Sequence, residues 1–406
     1  MAAAQVGFHR KPIRPAHLNA SQGGGPVATP ATNRPDRPGE PAGAIRWLAL
    51  CDADGPFAAN ALRGVKDSAF VTAGSFVAEA TLCAADGAAG ASLFAYQNIN
   101  IWERQFHIWL HPDGRLHVSH QQAGGVAHCA IALPLPPEPT LVRLTYGWDA
   151  LRRTSTLTVE LPAQNQTFQA RADNPLPLPG PDLQAMCAGP QKAWLHPRLL
   201  WFGVSEGQGP TGNLPGMAGN TLITTPSGAC RIDSLHPGDR VQTRDHGPLP
   251  VLWISHTDSP TCGSFTPIRL RAPFFGYRAD LVVSQSQKIV LGGAEVEYLF
   301  GEDAVLIEAA RLADGRIAVR DQRRGTMRLY SILLEQHAVI EAGGCGLESL
   351  YLADPARPGT LLHPPLHPRV PGGMAFHTRH ALPVLRGFEA VTLLAMREQG
   401  RNPAAC

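Results

Sequence analysis

The chain has 406 residues, 44% hydrophobic and 17% charged, with a formal net charge of +2. That length suits two or three domains with real cores, and the near-neutral balance gives no basic footprint for nucleic acid. No run of 18 or more apolar residues occurs, which argues against a helical membrane span. The N-terminal stretch MAAAQVGFHRKPIRPAHLNA has charges but no apolar core of a secretory signal. A cytoplasmic location is the default expectation, with leaderless export as the alternative. Cysteines stand at 51, 83, 129, 187, 230, 262, 345 and 406 with no CxxC pair. They read as scattered thiols, with one or two disulfides as the other possibility.

Residues 1–44 are rich in Pro, Gly, Ala, Asn and Arg and hold almost no large apolar side chains. Such a segment cannot offset its ordering entropy by burial and is predicted to be disordered.

From residue 45 to 207 the texture changes to short alternating runs separated by turns. Phe76–Leu82, Ala91–Tyr96, Phe106–Leu110, Leu116–Ser119, Val142–Trp148, Ser155–Leu161 and Leu199–Val204 read as strands. His111-Pro112-Asp113-Gly114 is a hairpin signal between two of them. No helix is expected here, and the pattern predicts an all-β, jelly-roll-like sandwich. The order of a "fxveatl" strand, an "hxdGrl" hairpin, an "xrltYsWd" strand and a closing "wFGVse" strand resembles laminin-G and concanavalin-like sandwiches. That resemblance implies a glycan or protein ligand, sometimes with Ca²⁺. Asp52-Ala53-Asp54-Gly55 has the look of a calcium loop, which makes Asp52 and Asp54 metal candidates. The later ligands of such a loop are missing, so a simple turn is the first reading.

Two motifs at the end of this region are traps. Gly203-Val204-Ser205-Glu206-Gly207 fits GxSxG, but the elbow it describes needs a following helix, and GQGPTGNLPG follows instead. Gly207–Gly212 fits GxGxxG with a proline inside it. Residues 208–215 read as a Gly/Pro linker.

The stretch from Thr221 to Ile254 is the most specific in the chain. Thr221–Ile223 is an apolar strand, and Pro237-Gly238-Asp239 is a tight turn in which Pro presets one angle and Gly takes a positive φ. Val241–Thr243, the Asp245–Gly247 turn and Val251–Ile254 follow. TPxG, then LxPGDxVxTRDxG, then an apolar run ending in Trp-Ile resembles the opening of a bacterial Hint (hedgehog/intein) domain. The resemblance extends over residues 216–354, about a third of the chain, and implies a β-fold with one or two short helices. Glu295–Leu312 is expected to contain such a helix after Gly301, with Leu299, Val305, Leu306 and Ala309 on one face.

Hint domains process themselves. The resemblance implies a Cys or Ser at the first position of the fold, attacking the preceding carbonyl. It also implies a Thr/Ser-x-x-His element that protonates the departing nitrogen. Here the first position is Gly216, and the second element is Ser284-Gln285-Ser286-Gln287. Glycine offers no nucleophile, and the Gln287 amide cannot transfer a proton near neutral pH. Leu333–His337 resembles the family's LLxDxH, with Glu335 where Asp is usual, so Glu335 and His337 are candidate remnants of the site. A structural role for His337, hydrogen-bonded beneath the sheet, is the other reading. Thr221 is the nearest alternative hydroxyl, five residues too deep; Asn220 and Cys230 are poorer candidates.

Residues 355–406 form a Pro/His-rich annex. His363 and His367 lie in an extended Pro-rich stretch, and Phe388–Met396 is predicted to be an amphipathic helix on the Hint sheet. The reading is thus of a scaffold or binding protein with a degenerate processing site and no cofactor. Two alternatives stay open: a self-cleaving protein that cuts near residues 215–221, and a glycan- or protein-binding sandwich with a passenger Hint domain.

Overall fold

Alternating apolar residues assemble residues 46–206 into two facing antiparallel sheets in the computed structural model. The structure describes residues 45–353 and 376–401, apart from 60, 67, 68, 101, 165, 208–212, 277 and 278. The predicted tail 1–44, His363 and His367, and most of the 208–215 linker lie outside the described residues.

The larger sheet has seven strands in the order Gln166–Asp173, Thr154–Leu161, Thr140–Asp149, Ala73–Leu82, Leu199–Glu206, Arg46–Asp52 and Gly55–Ala58. The smaller has five, in the order Ala193–Leu195, Ala91–Asn98, Arg104–Leu110, Arg115–Gln122 and Gly125–Ala132. Phe76, Phe94, Phe106 and Phe202 meet between them, with the Phe76 ring centroid 4.9, 5.2 and 5.3 Å from the other three. The absence of helices expected here is corrected by Ala84–Ala89 and Gly180–Met186. Both are too short for hydrophobic periodicity to reveal. The first is capped by Asp86, whose carboxylate accepts from Cys83 N at 2.8 Å, and the second starts on a proline.

A second core, from Met217 to Leu393, sits under a curled thirteen-stranded sheet. Its spine is the long strand Gly247–Pro260 paired with Thr326–Leu334. The predicted turn is present: Gly238 has φ +96°, and Asp239 N donates to His236 O at 3.1 Å across Pro237-Gly238. The helix expected after Gly301 is corrected. The helix is Ala294–Phe300, ended by Gly301 in the left-handed region, and Ala304–Glu308 is a strand. That strand is buried along almost its whole length between Lys288–Gly292 and the segment Pro383–Leu385. A continuous apolar run of this kind has no period to tell strand from helix. The C-terminal helix, Gly387–Arg401, buries Ala390 and Leu393 in the second core.

The two cores meet on the outer face of the seven-stranded sheet. Glu79 and Arg143 stand there fully buried, with Arg143 Nε 3.0 Å from Glu79 Oε1. The loop Cys262–Phe265 of the second unit closes over them. Ser264 N donates to Glu79 Oε2 at 2.9 Å, Ser264 Oγ bonds both Glu79 and Arg143, and Phe265 lies 4.3 Å beneath the guanidinium. Trp201 Nε1 donates to the same carboxylate at 2.9 Å. Gly263 has φ +55°, and a Cβ there would overlap Glu79 Oε2 and Trp201 Nε1, so only glycine permits this approach. Trp47 Nε1 donates to Asp258 O at 2.8 Å, and Arg324 pairs with Asp52 at 2.7 Å.

Removing one partner of such a pair leaves an uncompensated buried charge. Arg143→Leu is expected to lower the unfolding free energy by about 3–5 kcal/mol. The double change Glu79→Leu/Arg143→Leu is expected to cost less than that single one. Denaturant titrations of the three proteins test this, and additive losses would contradict it.

Candidate processing site and binding face

The strand Met217–Ala218 places Gly216 between Leu281–Val283 and Thr326–Leu334. Gly216 is buried, and its carbonyl accepts from Ser284 N at 2.9 Å. The carbonyl that a processing reaction would attack belongs to Pro215, and Ser331 Oγ donates to its oxygen at 2.5 Å. A Cβ at residue 216 would lie 3.0 Å from Leu329 Cβ. A small hollow beside this bond is lined by Leu214, Pro215, Ser255, Ser259, Leu329 and Ser331.

Ser284 is buried beside Gly216, and its Oγ is 3.4 Å from Ser286 Oγ. Gln287 N closes a turn onto Ser284 O at 3.2 Å. Its buried amide is directed elsewhere, donating to Glu348 O at 3.1 Å and Lys288 O at 3.2 Å. Thr221 is buried, and its Oγ1 has no hydrogen-bond partner among the described residues. Asp52 and Asp54 form a turn, Asp54 N donating to Asp52 Oδ1 at 3.0 Å, while Arg324 holds the other carboxylate oxygen. Ser205 of the GxSxG match is buried within a strand. The seven described cysteines are free thiols.

The structure separates Glu335 from His337: the first is exposed at a bend and the second is buried. The carboxylate beside His337 is Glu348, with Oε2 3.4 Å from His337 Nε2, and Lys288 Nζ lies 2.9 and 3.2 Å from its two oxygens. Burial opposes ionisation of Glu348, yet the His337 contact and the Lys288 charge outweigh it and hold its pKa below the ordinary 4.5. Ala381 N donates to His337 Nδ1 at 2.9 Å, so the neutral ring carries its proton on Nε2, facing Glu348. His380 stacks on Tyr351 at 4.0 Å and stands edge-on to His337 at 5.2 Å. His377 is clamped through Leu352 N and Leu334 O. Sequence spacing gave no sign of Glu348 or Lys288. The one clue was a Glu placed among Leu347, Leu350 and Leu352.

His337, Glu348 and His380 bring ligand-type atoms within 4.8 Å of one another. They do not suit a metal. A ligating His337 Nε2 needs a lone pair, while Ala381 N already uses the lone pair on Nδ1, and a neutral ring has only one.

The outer face of the five-stranded sheet is covered by no other described element. Trp109 stacks between His107, at 4.6 Å, and its cross-strand partner His117, at 4.9 Å. His107 Nε2 is 2.9 Å from Ser92 Oγ, and Trp194 stands 47% exposed on the edge strand. No helix among the described residues is long and apolar enough to cross a membrane.

Residues 215–354 match a family model described as "Hint domain". No curated protein matches the chain. Among solved structures it is similar to the CBM40 of Ruminococcus gnavus IT-sialidase bound to alpha2,6 sialyllactose. The identity is 12% and the TM-score 0.24, over 39% of this chain and 89% of that one. It is also similar to the LG1-3 region of the laminin alpha2 chain, at 9% identity and TM-score 0.23, over 75% and 56% of the two chains. A third is the full-length tailspike protein 2 of Escherichia coli O157:H7 bacteriophage CAB120, at 8% identity and TM-score 0.21, over 41% and 24%. The chain spans about half of the laminin region and a quarter of the tailspike protein.

Burial lowers the pKa of His120 and of His380 from 6.5 to about 4, and lowers that of His377. These rings are neutral in the fold, and each contributes stability above its unfolded pKa that is lost as pH falls towards its folded one. Thermal stability is therefore expected to decline from pH 6.5 to about 4, His120 alone accounting for roughly 3 kcal/mol. Loss of the Glu348 contribution follows below pH 4.5. Melting curves across pH 4–7 read this, with His120→Gln giving a shallower decline; a flat profile would contradict it.

Proposed function

We propose that this chain is a Hint-containing binding protein whose self-processing is lost. The Hint unit serves as a scaffold that holds the sandwich in a fixed pose. Gly216 carries this reading. Processing at that bond requires a side-chain nucleophile to attack the Pro215 carbonyl carbon while the Gly216 nitrogen departs with a proton. Glycine supplies no nucleophile. Gln287, where the proton donor would stand, is tied to the backbone of Glu348 and Lys288. Ser331 approaches the carbonyl oxygen, the place of an oxyanion donor and not of an attacking group. Cutting this bond would in any case leave the sandwich held through Ser264, Phe265 and Trp47.

Binding is assigned to the outer face of the five-stranded sheet, where His107, Trp109, His117 and Trp194 offer ring surface among polar side chains. Glycans or proteins are the partner classes that suit it. The tight Ser331 contact favours one second reading, residual cleavage beside Pro215.

Intact-mass spectrometry of the purified full-length chain, with and without dithiothreitol, decides between these readings. A single unchanged mass is expected; a fragment beginning at residue 216 would sink the leading reading, and its disappearance in Ser331→Ala would name the group responsible. Binding is read separately on a glycan array with the full chain. Trp194→Ala is expected to weaken any signal at least several-fold, since stacked aromatic contacts of this kind contribute about 1 kcal/mol or more. An unaffected signal would move the site elsewhere.

A further inference from the structure

We propose that the hairpin joining Arg104–Leu110 to Arg115–Gln122 binds one divalent transition-metal ion through His111, Asp113 and His117. One ligand atom from each of these residues lies within 4.8 Å of the others. His111 Nδ1 lies 3.1 Å from Asp113 Oδ1 and accepts from Asp113 N at 3.2 Å, a contact that a metal bound at this nitrogen would replace. The turn sets the pose. His111 N donates to Arg115 O, Gly114 N donates to His111 O, and Arg115 N fixes the Asp113 carboxylate at 2.9 Å.

His117 supplies the independent indication. Its Nε2 is shielded from solvent and has no hydrogen-bond partner among the described residues. Its other nitrogen, Nδ1, lies 3.0 Å from His128 Nε2. When the shared proton sits on His117 Nδ1, His128 is the acceptor and a lone pair is left on His117 Nε2. This is the arrangement of a metal-binding imidazole, whose second nitrogen hands its N–H to an acceptor. The contrast with His337 is direct, because there the second nitrogen receives a backbone N–H. Trp109 stacks flat on His117, with 16° between the planes, and holds the ring in place. Two imidazoles and one carboxylate suit Zn²⁺, Ni²⁺ or Co²⁺ and not the all-oxygen preference of Ca²⁺ or Mg²⁺. Three protein ligands leave a coordination position open to water or to a donor atom of a molecule bound on this face.

The site lies on the sandwich and does not depend on the fate of the processing reaction. The test uses the untagged full-length chain, stripped with a chelator and titrated with ZnCl₂ by calorimetry, with Co²⁺ absorption as a second probe. One Zn²⁺ per chain is expected, with affinity reduced at least about tenfold in His117→Ala and in Asp113→Asn, and a smaller loss in His128→Phe. His337→Ala is expected to bind as the unaltered chain does. His111→Ala, at an exposed position, keeps the test open if His117→Ala fails to fold. Absence of Zn²⁺ binding, full affinity in His111→Ala and Asp113→Asn, or a thiolate-to-Co²⁺ absorption band would each overturn the proposal.

Discussion

The buried pair Glu79–Arg143 is the constraint on which the arrangement of this protein depends. Two charges removed from water are tolerated only when their remaining hydrogen-bonding capacity is met. Half of that satisfaction comes from the sandwich itself, through Trp201 and Glu160. The other half comes from Ser264 and Phe265 of the second unit. The sandwich sheet thus carries a polar core that is complete only when the Hint unit is docked. Gly263 is what allows the docking loop to reach it, since any side chain there would collide with the carboxylate.

Docking also decides which surface is left for partners. One outer face of the sandwich is occluded by residues 258–265, and the other presents the His107–Trp109–His117 ladder. The candidate binding function and the candidate metal hairpin fall on the same face for that reason. The side chains expected to take part in processing are held in a comparable way. Gln287 is bound to backbone, and His337 is fixed as one tautomer by a segment that arrives from beyond the Hint match.

Much of the local architecture was legible in the sequence because turn chemistry is local. His236–Asp239 and His111–Gly114 close as Pro and Gly dictate, and the alternating runs became strands with their apolar residues inward. Ala304–Glu308 was misread because a strand buried on all sides has no polar face to give it a period. The short helices at residues 84 and 180 escaped for the opposite reason: fewer than two turns give periodicity nothing to repeat. At the site, Glu335 stood where the family pattern points, yet the bend at residues 335–336 turns it to solvent.

The sequence alone determined the absence of a nucleophile at residue 216 and of a histidine at residue 287, because a missing functional group is a matter of identity and needs no coordinates. It also determined the strands and turns, which follow from neighbours along the chain. Only the tertiary structure decided that Glu348 stands with His337, that His117 keeps a free ring nitrogen beside His111 and Asp113, and that Glu79 finds Ser264 across 185 residues of chain. These are contacts between segments distant in sequence, fixed by how two cores pack together. No spacing or period along the chain encodes them.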